Sequence, residues 1–177
     1  MLDGKGPPVV LIHGVGLDHT MWDPVAAHLS TGFTVLRYDI VGHGLTPALT
    51  DRLTYAAFTR QLADVLEAHG IERIAVVGFS LGALIAQDFT LTHPQRVSKL
   101  VLLNSASKRN PRQQAGIMSR LEGVIELGVS SNIEASINRW FTDEFCRAHP
   151  EQIDRVVQRI KDNDPAGFLA AYRLFAE

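Results

Sequence analysis

Gly78-Phe79-Ser80-Leu81-Gly82 lies between an apolar run, Arg73 to Val77, and a segment of helical character, Leu81 to Thr92. No other feature constrains the chain as much. A strand that turns into a helix within one residue leaves no space for side chains on either flank, and it forces the corner residue into a strained backbone conformation. Glycines at 78 and 82 meet the first demand. The serine between them is then held with its hydroxyl clear of the sheet, which makes Ser80 a candidate nucleophile. The plain alternative is a turn serine capping a helix N-terminus.

Three more short apolar runs, Val9 to His13, Phe33 to Tyr38 and Lys99 to Asn104, are bounded by turn-forming residues and read as strands. Their unbroken apolar character predicts burial on both faces, as in a parallel sheet covered by helices. Between them, Tyr55 to His69 carries Phe58, Leu62, Val65 and Leu66 at helical spacing, with Thr54 as N-cap and Gly70 as the stop. This alternation predicts an open α/β sheet with right-handed crossovers, in which ligands gather at the carboxyl ends of the strands. Ser80 stands at one such end. After Asn104 the pattern changes: Arg112 to Leu127, Ile133 to Trp140, Pro150 to Lys161 and Asp164 to Phe175 read as helices with no strand between them. The chain therefore divides into a core over 1–104 and a helical cap over 105–177, without a linker-like stretch between the two.

With 177 residues and 46% hydrophobic content, the chain is long enough for one sizeable core. The formal net charge is -2 and the lysines and arginines are scattered, so there is no basic face of the kind that grips nucleic acid. A single cysteine, Cys146, cannot close an internal disulfide, and the opening residues have no basic-then-apolar leader, so the expectation is a cytoplasmic enzyme. No apolar run approaches the roughly 18 residues of a membrane span, which predicts no membrane partner. Metal-ligand spacing and a dinucleotide-binding glycine fingerprint are both missing from the sequence, so the expected chemistry uses neither a metal nor a cofactor.

Three blocks in order, Leu11-Ile12-His13-Gly14-Val15-Gly16, Arg37-Tyr38-Asp39-Ile40-Val41-Gly42-His43-Gly44 and the Gly78 to Gly82 elbow, resemble the α/β-hydrolase fold family. Within the helical segment, Arg139-Trp140-Phe141-Thr142 and Asp164-Pro165-Ala166-Gly167-Phe168 resemble the cap of 3-oxoadipate enol-lactonases and related carboxylesterases. The resemblance implies an α/β-hydrolase core with a mostly parallel sheet and a helical cap. By the same resemblance the fold is incomplete, without the opening hairpin and the last two strands. It also implies a serine hydrolase of a small ester or lactone, working through an acyl-enzyme on Ser80. The backbone N–H groups of Val15 and Leu81 form the implied oxyanion hole. Arg139 and Trp140 are the implied substrate-binding residues, with the guanidinium suited to a carboxylate-bearing substrate.

In the family's chain order the acid and then the histidine follow the serine, which places both implied triad partners beyond Glu177. Only His93 and His149 follow Ser80 in this sequence. His93 ends the same helix, about 20 Å away at 1.5 Å per residue, and His149 sits at a helix boundary. His13 and His43 belong to turn motifs, and the resemblance implies that they support loops and that Asp39 braces its own loop. Asn104, at the end of a strand where some relatives carry the acid, has no charge. The rival reading is a truncated, non-catalytic fragment whose role is association. Under it, the Lys99 to Asn104 strand becomes an apolar edge, covered either by a second copy in a homo-oligomer or by a missing C-terminal segment.

Overall fold

All residues from Met1 to Glu177 are described by a computed structural model. Its sheet has five strands, β1 (Leu2–Asp3), β2 (Pro8–Ile12), β3 (Thr34–Arg37), β4 (Ile74–Phe79) and β5 (Val97–Leu103), in the order β1-β3-β2-β4-β5. The four apolar runs supply β2 to β5, which pair in parallel. The two-residue β1 is an addition to the expected set. It runs antiparallel to β3, with Leu2 opposite Leu36 and Asp3 opposite Val35, and Arg37 ties it down through a 2.5 Å bond to the Asp3 carboxylate.

Eight α-helices follow or intervene: α1 (Asp23–Leu29), α2 (Tyr55–Ala68), α3 (Leu81–Thr92), α4 (Pro111–Leu127), α5 (Ile133–Trp140), α6 (Asp143–Ala148), α7 (Pro150–Lys161) and α8 (Pro165–Ala176). Thr54 caps α2 by accepting from the Ala57 N–H, and Asn110 and Gln113 close a reciprocal capping box at the start of α4. Alternate residues of β2 explain why it reads as an unbroken apolar run. Val10 and Ile12 pack with Phe58, Leu62 and Leu66 of α2 and with Ile85 and Phe89 of α3. Val9 and Leu11 face the other way, against Trp22 and Ala26. Each such side chain contributes about 1.5–3 kcal/mol by leaving water, so β2 anchors both layers. Ala171 of α8 joins the larger core, and Ile117, Leu121 and Val124 of α4 pack on Phe168 and Tyr172 of α8.

β5 hydrogen-bonds only to β4 and forms one border of the sheet. Val97 is its one buried residue, whereas Leu100 to Leu103 are between 36% and 43% exposed. The apolar edge expected from the sequence is therefore present in the chain. No helix is long and apolar enough to cross a membrane.

Candidate active site

The turn at Ser80 is strained in the way the sequence anticipates. Its φ of 55° and ψ of -117° put a non-glycine residue in sparsely populated backbone space. The strain persists because the surroundings fix it. The Ser80 N–H donates to Leu103 O at 2.9 Å, and a Cβ built on Gly82 would lie 2.3 Å from Ile12 O, so α3 can seat against the end of β2 only with glycine there. The Ser80 side chain makes no capping hydrogen bond to α3, so the helix-cap alternative does not describe it.

Gly14 brings the turn after β2 against the serine. A Cβ on Gly14 would stand 3.1 Å from the Ser80 Cβ, which places the Val15 backbone beside the hydroxyl. The Val15 N–H has no hydrogen-bond acceptor of its own within the chain. Leu81 is the first residue of α3, and its N–H has no intrahelical acceptor either. Two unsatisfied donors thus flank one hydroxyl at a helix N-terminus, where the helix dipole favours negative charge.

Ser80 opens into a cavity of about 470 Å³ also lined by Val15, Arg139 and Trp140. The structure therefore brings together four of the residues singled out from sequence, with Leu81 behind them in the core. Trp140 is 42% exposed, and Arg139 sits with its guanidinium 5.9 Å from the Trp140 ring centroid. These two side chains also border a second cavity, of about 690 Å³, on the side of Met21, Phe79, Asn104 and Phe141. Burial first, and then the nearby charge of Arg120, pulls the Arg139 pKa down from its ordinary value.

Neither a histidine nor a carboxylate lines the Ser80 cavity. His13 is fully buried, and its Nε2 accepts from the Ile40 N–H at 3.0 Å while Nδ1–H donates to Gly14 O at 2.9 Å. Both nitrogens are occupied, so the ring ties the turn after β2 to the loop after β3 and cannot serve as a base. Burial pushes the His43 pKa down to about 3, with the neighbouring His13 adding to the effect. His43 Nδ1–H donates to Val41 O. Asp39 accepts from the His19 N–H at 2.8 Å, from His19 Nδ1–H at 2.7 Å and from the Leu45 N–H at 3.0 Å. Burial alone would raise the Asp39 carboxyl, but these donors outweigh it and hold the carboxyl below its usual range. His19 and Asp39 form a histidine–carboxylate pair that sequence reading did not single out, but neither residue lines the cavity.

Sequence reasoning also missed Arg120, Tyr172 and Asn163, which reach the site region only through helix packing. Asn163 is buried, and its side-chain amide donates to Gly16 O at 3.0 Å, joining the link between α7 and α8 to the turn that carries the Val15 N–H.

Comparison with known proteins bears on the family and the fold. A family profile described as alpha/beta hydrolase fold matches residues 7–162. An Acinetobacter baylyi protein named (E)-2-((N-methylformamido)methylene)succinate hydrolase is 28% identical, over 98% of this chain and 65% of its own length. The 3-oxoadipate enol-lactonase 1 of the same organism is likewise 28% identical, over 98% of this chain and 64% of its own length. Among solved structures, a thermophilic esterase from Thermogutta terrifontis with malate bound superposes with a TM-score of 0.90 at 29% identity, covering 100% of this chain and 66% of that one. The chain thus spans just under two thirds of the length of the two Acinetobacter relatives.

Proposed function

The chain belongs to the alpha/beta hydrolase fold family, and on that premise we propose that it serves a serine hydrolase of small esters or lactones. The observation that carries this reading is the strained, uncapped Ser80 with the unsatisfied N–H groups of Val15 and Leu81 around it. In the proposed reaction the Ser80 Oγ attacks the carbonyl carbon, and the two backbone N–H groups stabilise the oxyanion that develops. Each such donor is worth about 3 kcal/mol in the transition state. The C–O bond to the alcohol breaks, leaving an ester on Ser80, and water then cleaves that acyl-enzyme to release the acid and restore the hydroxyl. The proton leaving Ser80 needs a base. Since the cavity holds no histidine, the reading assigns the base and its orienting acid to positions after α8, in the order serine, acid, histidine.

Two of the relatives above are named for acting on a succinate derivative and a 3-oxoadipate lactone, and the esterase structure holds malate; all three molecules are built on dicarboxylic acids. Carried to this chain, that likeness supports an ester or lactone of a short dicarboxylic acid, with Arg139 and Trp140 lining its site. The test is hydrolysis of short methyl esters by the protein at its natural length, established by intact mass against the 19.5 kDa of these residues. Ser80→Ala is expected to lower turnover by about a millionfold, the scale seen when a triad nucleophile is removed. Undiminished hydrolysis in that variant rules the reading out. The second reading, an association module, is favoured by the bare edge at β5.

A further inference from the structure

We propose that the cavity beside Ser80 contains a built carboxylate subsite formed by Arg120 of α4 and Arg139 of α5, with Tyr172 of α8 positioning Arg120. This rests on the hydrolase reading for the identity of the reacting group, but the subsite itself is argued from charge and geometry.

The cavity wall includes four cationic side chains, Lys108, Arg109, Arg120 and Arg139, and no aspartate or glutamate. None of the four takes part in any ion pair of the chain. Two of them are otherwise accounted for. Arg109 donates to Phe175 O at 2.6 Å and lies 4.8 Å from the Phe175 ring centroid, so it fastens the end of α8, and Lys108, exposed like Arg139, carries a single ammonium without the paired N–H edge that grips a carboxylate. Arg120 and Arg139 are left.

Arg120 is half-buried, and its one hydrogen bond runs from Nε to the Tyr172 hydroxyl at 3.3 Å. Its two terminal amino groups, the edge that grips a carboxylate in parallel hydrogen bonds, donate to nothing. Tyr172 is itself buried, so its hydroxyl sets the plane of the guanidinium. Arg139 makes only contacts within its own helix, to Ala135 O at 3.4 Å and Ser136 Oγ at 3.2 Å. Arg139 feels the second guanidinium: after burial, the charge of Arg120 is the next cause of the weakened proton affinity of Arg139. Two guanidiniums that repel one another across a partly enclosed space, with no acid between them, are stabilised by an anion that fills it. The apolar wall around them, with Ile117 and Phe168, suits the short methylene chain that links such a carboxylate to an ester carbonyl at Ser80.

The experiment compares monomethyl glutarate, which carries a free carboxylate, with dimethyl glutarate, which is neutral. Both are titrated calorimetrically into the 177-residue Ser80→Ala chain at low salt, so that binding is read without turnover. The charged ester is expected to bind at least about tenfold more tightly. Arg120→Gln and Arg139→Gln should each reduce that preference to less than about threefold while leaving the thermal midpoint of the chain close to its starting value. Arg120→Lys should restore only part of it, because an ammonium cannot make the paired contact. Equal binding of the two esters, no binding of either, or a preference untouched by Arg120→Gln overturns the subsite. Inorganic phosphate that displaces the ester at sub-millimolar concentration overturns the carboxylate assignment. If the preference holds but the natural-length protein hydrolyses neither ester, the hydrolase reading fails and the carboxylate subsite stands.

Discussion

His13 and His43 meet edge to face with ring centroids 5.5 Å apart, and neither can take a proton without cost. The Ile40 N–H points at the Nε2 of His13, so protonating that atom would set two donors against each other. The Nε2 of His43 is buried with no partner, so a proton there would have no acceptor. Burial accordingly pushes the His13 pKa down to about 4, against weaker opposition from Gly14 O and Asp39, and the His43 pKa to about 3. An unfolded chain takes up both protons near pH 6.5. Stability is therefore full above that pH and declines as pH falls through 6.5 towards 4 and 3, at up to about 1.4 kcal/mol per pH unit for each ring. Asp39 acts further down, because its depressed carboxyl stabilises the fold above its unfolded value and loses that contribution as it is protonated. Urea midpoints measured from pH 8 to pH 5 should stay level to about pH 7 and then drop, with a loss of about 2–4 kcal/mol by pH 5. A flat profile would show that the two rings are not buried in neutral form.

At the scale of elements, the junction between α7 and α8 clamps the turn after β2, which borders Ser80, and the loop after β3. Asn163 has two amide hydrogens and three carbonyls in reach, Gly16 O at 3.0 Å, Arg159 O at 2.8 Å and Ile160 O at 3.2 Å. Asp164 caps α8 by accepting from the Gly167 N–H at 2.7 Å, and Gly167 packs on Gly42, where a Cβ on either residue would overlap the other's backbone. Asn163→Ala leaves the buried Gly16 carbonyl without its donor, so it should lower stability by about 1–3 kcal/mol and speed amide exchange in residues 159–168. An unchanged unfolding midpoint in that variant would remove the clamp. This junction also marks the limit of what the sequence discloses. The bounds of α3, α5 and α7 follow from apolar spacing and, for α7, from Pro150, and they appear as anticipated. The helices α1 and α6 were not legible, for they span seven and six residues and bury one residue between them, Ala26. The two-residue β1 owes its form to β3 and Arg37 rather than to its own composition. Ser80, Leu81 and Val15 could be found because a strand, a tight turn and a helix start write their requirements into adjacent residues. Arg120, Tyr172 and Asn163 could not, because their partners lie 52 and 147 positions away and only packing brings them together.

For the whole molecule, the question is what happens at the free border of the sheet. β5 offers an unpaired row of backbone donors and acceptors, and its residues Leu100 to Leu103 are exposed on both faces. Strands with that combination pair readily with another chain, since the pairing satisfies the backbone and removes apolar area at about 25 cal/mol per Å². No charge interrupts the run from Leu100 to Leu103, and Lys99 is the only charged residue of the strand. The net charge of -2 adds little repulsion between copies. We therefore expect the 177-residue chain to associate with itself, and sedimentation velocity over a hundredfold concentration range should show the average mass rising with concentration. Placing charge on the strand separates this cause from general stickiness. Val101→Lys together with Leu103→Lys should return the chain to a monomer, whereas the same pair of lysines at Leu45 and Leu91, which are exposed at 91% and 76% away from β5, should not. A wild-type chain that stays monomeric throughout the range contradicts the expectation, and association that persists in the β5 variant moves its origin to another surface.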